Sequence, residues 1–263
     1  MNQKLWNNYK ESEEYKRLVE IFNPEAEDYL TAVERVFLLA EELGDDKDPR
    51  NLLAVYDAIE SNFGGQGFEF AKFSTREDFE QFVDSFEIRK YYIDGEGYTQ
   101  LMDGPKDIRI RKEDYRGKAS VVDSLSTFFY FHPPYFKPVL LSTRFSVLQQ
   151  NCEALGIDLP SFPKAHDYKA AIMWYYDLCA VFNEFQDRYG MSDPEFCACL
   201  YGLAALLRDD VEKKPLPKPI NVWLTGADRE DIKSLEKSMD NDSLWACNEN
   251  TRRGDIVVLY GVS

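Results

Sequence analysis

Long apolar runs are missing from this sequence. No stretch approaches the roughly 18 consecutive apolar residues that span a bilayer, and the N-terminus carries no apolar signal core. A soluble, cytoplasmic protein with no membrane partner is therefore expected. Histidine is scarce: only His132 and His166 are present, which leaves few candidates for a His-dependent triad or a multi-His metal centre. The five cysteines (Cys152, Cys179, Cys197, Cys199, Cys247) are odd in number and three fall in helical stretches, so reduced thiols are expected rather than a disulfide framework. Excess positive charge is also lacking. With 31 Lys and Arg against 47 Asp and Glu, the formal charge is −16. Proteins that coat phosphates are normally basic, because counterion release drives that binding, so any nucleic-acid site here must be local or read a base in a pocket.

What the chain does have is core-building material. Its 263 residues are 44% apolar and include 18 Phe, 16 Tyr and 4 Trp, enough to bury a core and rule out wholesale disorder. One large or two smaller domains are expected at this length. Tyr15, Leu18, Val19 and Phe22 follow the i, i+3, i+4, i+7 spacing of one buried helix face, ending at Asn23-Pro24. Tyr29, Leu30, Val33 and Phe37 mark a second helix stopped near Gly44, and Leu52, Leu53, Tyr56 and Ile59 a third. Ser74-Thr75-Arg76-Glu77 predicts a capping box led by Ser74, with Phe79, Phe82, Val83 and Phe86 as an aromatic inner face behind it. Residues 88–112 change to period two, with Ile108-Arg109-Ile110-Arg111 predicting a small hairpin or edge strand whose arginines face solvent.

Helical patterns return over Ser120–Tyr130, Ser146–Leu155 and His166–Tyr189, the last two stopped by Gly156 and Gly190. Ser192-Asp193-Pro194-Glu195 predicts another capping box, with Leu200, Leu203 and Leu207 lining the helix it opens. Composition then shifts. Asp209–Pro219 is charged, punctuated by proline and free of aromatics, as a semi-rigid linker would be. Beyond it, residues 221–225 and 255–260 read as strands, with a short helix near Asp231–Lys237 between them. The expected organisation is a helical domain over 1–208 with its β insertion, a linker over 209–219 and a short α/β segment over 220–263.

Candidate chemistry is thin. Lys106, Arg109, Arg111, Lys112, Arg116 and Lys118 form a dense basic strip that reads either as a phosphate contact or as a charged edge guarding against aggregation. Cys197 and Cys199 are two apart on a helix and point to different faces, so they read as small buried thiols rather than a chelate. Gly64-Gly65-Gln66-Gly67 lacks the Lys-Ser/Thr of a phosphate-binding loop. No catalytic residue, metal site or cofactor is assigned.

Two resemblances add to this. In the C-terminal stretch, Trp223-Leu224 on a strand, Trp245-Ala246-Cys247-Asn248, and Thr251-Arg252-Arg253-Gly254-Asp255 leading into a strand ending at Tyr260 resemble the opening half of an EVE domain, a PUA-like fold. That resemblance implies an aromatic-lined pocket for a modified base, with Trp245 and Asn248 in the pocket, Trp223 at its wall and Arg252 and Arg253 at its rim. It also implies a barrel of five or more strands, of which this chain carries two before Ser263. In the middle, residues 128–138 (Phe128 to Pro138, containing His132-Pro133-Pro134), followed by a helix ending in Leu155-Gly156, resemble the region preceding the motor of McrB-type restriction GTPases. Together they imply a mainly α fold with a small β insertion and a partial PUA-like segment. The implied function is non-catalytic recognition of modified DNA or RNA in a restriction or defence protein, alongside a partner protein or motor subunit. The alternatives are an acidic helical protein–protein interaction module and, less favoured, a DNA mimic.

Overall fold

Each helix forms where an apolar stripe meets a start or stop signal. In the computed structural model, which describes residues 3–23, 29–44, 47–63, 73, 75–115, 121–132, 135–140, 145–161, 163, 167–207, 219, 221–227, 251 and 255–261, helices α1 (Gln3–Lys10) and α2 (Glu13–Ile21) come first. Ser12 caps α2 by accepting from the Tyr15 N–H at 3.1 Å, and Leu18 and Phe22 are buried. α1 was not foreseen, since eight residues show too little periodicity. It is held by Trp6 and Tyr9, which pack edge-on against Tyr15. α3 (Tyr29–Glu42) buries Ala32, Val33, Val36, Phe37, Leu39 and Ala40, while Leu30, expected inside, is 53% exposed because the stripe begins one turn later. α4 (Pro49–Phe63) buries Leu52, Val55, Tyr56, Ile59 and Phe63.

The capping box before α5 (Arg76–Asp84) is shifted by one residue from the expected position. Thr75 accepts from Asp78 N–H at 3.1 Å and Asp78 accepts from Thr75 N–H at 3.2 Å, because that frame turns Phe79 and Val83 into the core. The β insertion is a meander of three antiparallel strands rather than a hairpin: β1 (Glu87–Ile93), β2 (Tyr98–Asp103) and β3 (Ile108–Arg111). Its turn is built by Asp94, whose carboxylate accepts from Glu96 and Tyr98 N–H groups at 2.9 and 3.0 Å, and by Gly97 at φ +86°.

α6 (Val121–Phe131) is buried nearly all round, and the extended segment Phe136–Leu140 runs beside it through the core without joining a sheet. Buried backbone outside a sheet needs other partners. Side chains supply them: Tyr175 Oη donates to Lys137 O at 2.9 Å, Tyr201 Oη to Pro138 O at 2.6 Å, and Ser126 Oγ accepts from Val139 N–H at 3.0 Å. The surrounding aromatics stack, Phe129 on Phe136 at 4.7 Å between centroids and Phe79 on Tyr176 at 5.1 Å.

α7 (Phe145–Leu155) and the long α8 (Tyr168–Tyr189) follow; α8 is capped by Asp167 and stopped by Gly190 in the left-handed conformation. α9 (Asp193–Ala198) opens with the expected capping box of Ser192 and Glu195, with Pro194 in its first turn. Over Cys199–Leu203 the helix widens into a π turn, and Leu200 and Leu203 are buried. Gly202 sits in that turn against Tyr9 and Leu18.

The chain divides into two compact units, Met1–Arg208 and Asp209–Ser263. In the second, β4 (Val222–Ala227) and β5 (Ile256–Gly261) pair in parallel, in register from Val222↔Ile256 to Ala227↔Gly261. The described residues are thus mostly helical with two small sheets, and no closed barrel occurs among them. The stretch read as a linker, residue 219 apart, and the helix expected near Asp231–Lys237 lie outside the described residues. No helix among them is long and apolar enough to cross a membrane.

Candidate nucleic-acid interface

The basic strip falls on the outer face of the meander. Register pairs Tyr98 with Arg111 and Gln100 with Arg109 across β2 and β3, and Tyr92 with Gln100 across β1 and β2. Ile108 and Ile110 point inward, so the two arginines stand outward as the alternation required. Arginine and tyrosine interleave here: the Arg109 guanidinium lies 5.2 Å from the Tyr98 ring centre and that of Arg89 4.6 Å from Tyr92, while Tyr92 Oη donates to Gln100.

Two open clefts flank Tyr98. One, of about 540 Å³, lies by Arg111 and Lys112; the other, of about 570 Å³, lies by Lys106 and Arg109. Neither is a cationic channel. Arg109 bonds Asp94 at 3.4 Å and Glu96 at 3.1 Å, and Arg111 lies 3.6 Å from Glu113. Asp94 is held below the usual carboxylate range, first by the Tyr98 N–H and also by that of Glu96 and by Arg109. Lys106 donates to the Asn62 carbonyl at 2.6 Å and faces the Phe63 ring. The two arginines thus meet acids of their own sheet and turns. Arg116 and Lys118 lie outside the described residues.

The second candidate is Trp223 on β4. Its indole N–H donates to Asp255 Oδ2 at 2.8 Å, and the same carboxylate accepts from the Asn221 backbone N–H at 3.0 Å and from Asn221 Nδ2 at 3.2 Å. Asp255 therefore ties the start of β4 to the start of β5 and fixes the edge of the Trp223 ring, which stays half-buried. The sequence showed Asp255 only as part of a Gly-Asp turn. Its three donors are 32 and 34 residues away and meet it only once the strands pair. Trp245, Asn248, Arg252 and Arg253 lie outside the described residues. The structure therefore brings Arg109 and Arg111 together on the meander, and places Trp223 in the other unit.

Elsewhere the titratable groups are tied into the core. Burial pushes the Cys152, Cys179 and Cys199 thiols up to about 12 and raises Cys197 as well, so all four are protonated and weakly nucleophilic at neutral pH. His132 sits against the Phe128 carbonyl at 2.8 Å and 3.6 Å from Glu60, while His166 lies outside the described residues. No group of three potential metal ligands occurs among the described residues. Compared with protein families, with curated proteins and with solved structures, the chain matches none.

Proposed function

We propose that this chain is the non-catalytic recognition region of a restriction- or defence-type protein, with the unit Asp209–Ser263 as its reading head for modified bases in DNA or RNA. The observation that carries this reading is the half-buried Trp223, whose ring is held at one edge by Asp255. A base taken out of its stack needs a preoriented aromatic face, and a ring fixed by a hydrogen bond at its edge loses little freedom on stacking. The resemblance adds Trp245 and Asn248 to the pocket and Arg252 and Arg253 to its rim. Because the chain is acidic and Arg109 and Arg111 are paired with neighbouring carboxylates, base stacking supplies the larger share of the affinity and phosphate contact the smaller.

The test is a fluorescence titration of the chain with paired oligonucleotides, one plain and one carrying 5-methylcytosine, at two salt concentrations. The modified strand should bind more tightly, with a shallow salt dependence. Trp223→Ala and Trp245→Ala should abolish the preference, and Arg109→Ala should leave it intact. Equal affinity for both strands, or a preference that survives both tryptophan changes, refutes the reading.

A further inference from the structure

Aromatic rings of the first unit collect cations on their faces. Lys10 lies 5.6 Å from the Trp6 ring centre, Lys106 5.7 Å from Phe63, Arg89 4.6 Å from Tyr92 and Arg109 5.2 Å from Tyr98. The attraction is electrostatic, between a positive group and the negative face of a ring, and it is strongest for tryptophan. Trp223 carries no such cation among the described residues. It has an anion at its edge instead: the indole N–H donates to Asp255 Oδ2 at 2.8 Å. A hydrogen bond to an ionised acceptor is stronger than a neutral one; it draws the proton towards the carboxylate and leaves more electron density in the ring. The carboxylate sits at the N–H edge and so covers neither face. Asn221 holds it there through its backbone N–H at 3.0 Å and its Nδ2 at 3.2 Å, which keeps anion and ring in one geometry.

We propose that Trp223 selects positively charged bases, those methylated on a ring nitrogen, over neutral bases methylated on carbon. This inference rests on the base-reading function proposed above and names the class of base it takes. Methylation on a ring nitrogen fixes a positive charge in the base itself, spread over the same π system that stacks. Laid on Trp223, such a base meets the electron-rich face of the indole. It also lies closer to Asp255 than the roughly 8 Å screening length of physiological salt, so ring and carboxylate attract it together. A carbon-methylated base offers the same stacking area without the charge. Trp223 is half-buried, so water competes only in part for the cation, and the charge is worth at least about threefold in affinity. Cytosine supplies the comparison. 3-Methylcytosine and 5-methylcytosine carry the same methyl group on the same ring, and at neutral pH only the first is a cation.

The experiment titrates the full chain, by fluorescence anisotropy at two salt concentrations, with labelled single strands of one sequence carrying cytosine, 5-methylcytosine or 3-methylcytosine at one position. Expected is 3-methylcytosine bound at least about threefold tighter than 5-methylcytosine, with the ratio retained at high salt because the contact is short. Trp223→Phe keeps a flat ring without the N–H and leaves Asn221 to hold Asp255. It should bring the two methylated strands to within about twofold of each other, while circular dichroism shows the variant folded. Raising the pH until 3-methylcytosine loses its proton should erase the ratio in the parent as well. If 5-methylcytosine binds more tightly than cytosine but 3-methylcytosine no more tightly than 5-methylcytosine, the inference is overturned and the base-reading function stands. Equal affinity for all three strands overturns both. A ratio that vanishes at high salt, or that survives in Trp223→Phe, traces the preference to the general field of an acidic chain and overturns the inference.

Discussion

Gly202→Ala pits two effects of known size against each other. In an ordinary helix interior this change stabilises by up to about 1 kcal/mol, because glycine loses more backbone freedom on folding. Gly202, however, lies in the π turn with no room beside it. A Cβ there would overlap the Tyr9 hydroxyl and fall 2.7 Å from Leu18 Cδ1 and 3.0 Å from Tyr9 Cζ. The Tyr9 ring is no easily moved chain end: it is buried, packed against Trp6 and Tyr15, and donates to the Ala198 carbonyl at 3.1 Å. Displacing it breaks that bond and leaves the buried Tyr9 hydroxyl without its acceptor, about 1–3 kcal/mol, with overpacking of α1 and α2 adding about 1–3 kcal/mol more. Set against the helix gain, the net expectation is a loss of roughly 1–5 kcal/mol, read as a lowered urea midpoint at unchanged slope. The double variant with Tyr9→Phe sharpens the test. Without the hydroxyl the main overlap is gone, so Gly202→Ala should cost at least about 1 kcal/mol less in that background, a coupling well above additivity error. A Gly202→Ala protein as stable as the parent, or additive with Tyr9→Phe, would show that α1 does not pack as described.

Glu195 ties α1 and α2 to the cap of α9. Its burial alone would raise its pKa, but the Ser192 N–H, Lys10 at 3.0 Å and Tyr15 Oη at 2.9 Å hold it down to about 2 from 4.5. A carboxylate depressed in the folded state stabilises above its unfolded pKa, and that contribution is lost as pH falls from about 4.5 towards 2. With the side chain 21% exposed, solvent-discounted stabilisation is about 1–2 kcal/mol. Glu195→Gln should therefore lower the melting temperature at pH 7, with the gap from the parent closing towards pH 2.5; a gap constant with pH contradicts the assignment. Lys137 is almost wholly buried and bonds Asp193 at 2.8 Å, whereas Asp193 is 28% exposed and also accepts from Gln186. Removing Asp193 takes the counter-charge from a buried ammonium, so Asp193→Ala should cost about 3–5 kcal/mol, and Lys137→Met less, about 1–2 kcal/mol. Chemical denaturation of both variants checks the order, and the reverse order would refute it.

Much of the helical architecture was legible along the chain. The stripes at Leu18 and Phe22, Val33 and Phe37, and Tyr56 and Ile59 are buried, and the Ser192/Glu195 box closes as expected. These signals are local: a 3.6-residue period and a cap three residues long need no knowledge of the rest of the chain. The misses are also physical. Ser74 and Thr75 are equally good caps in sequence, and only the demand that Phe79 and Val83 face the core selects Thr75.

For the candidate sites the division is sharper. Sequence alone determined that Arg109 and Arg111 point outward, since period two with Ile108 and Ile110 inside leaves no other choice. It also determined an acidic chain, with a formal charge of −16. Only the tertiary structure decided that Arg109 meets Asp94 and Glu96, that Asp255 reaches back some 30 residues to Trp223, and that five apolar side chains share one exposed face of β4–β5. Which charges meet, and which face of a strand is covered, depends on the pairing of distant segments, and a linear pattern records only that each strand has two faces.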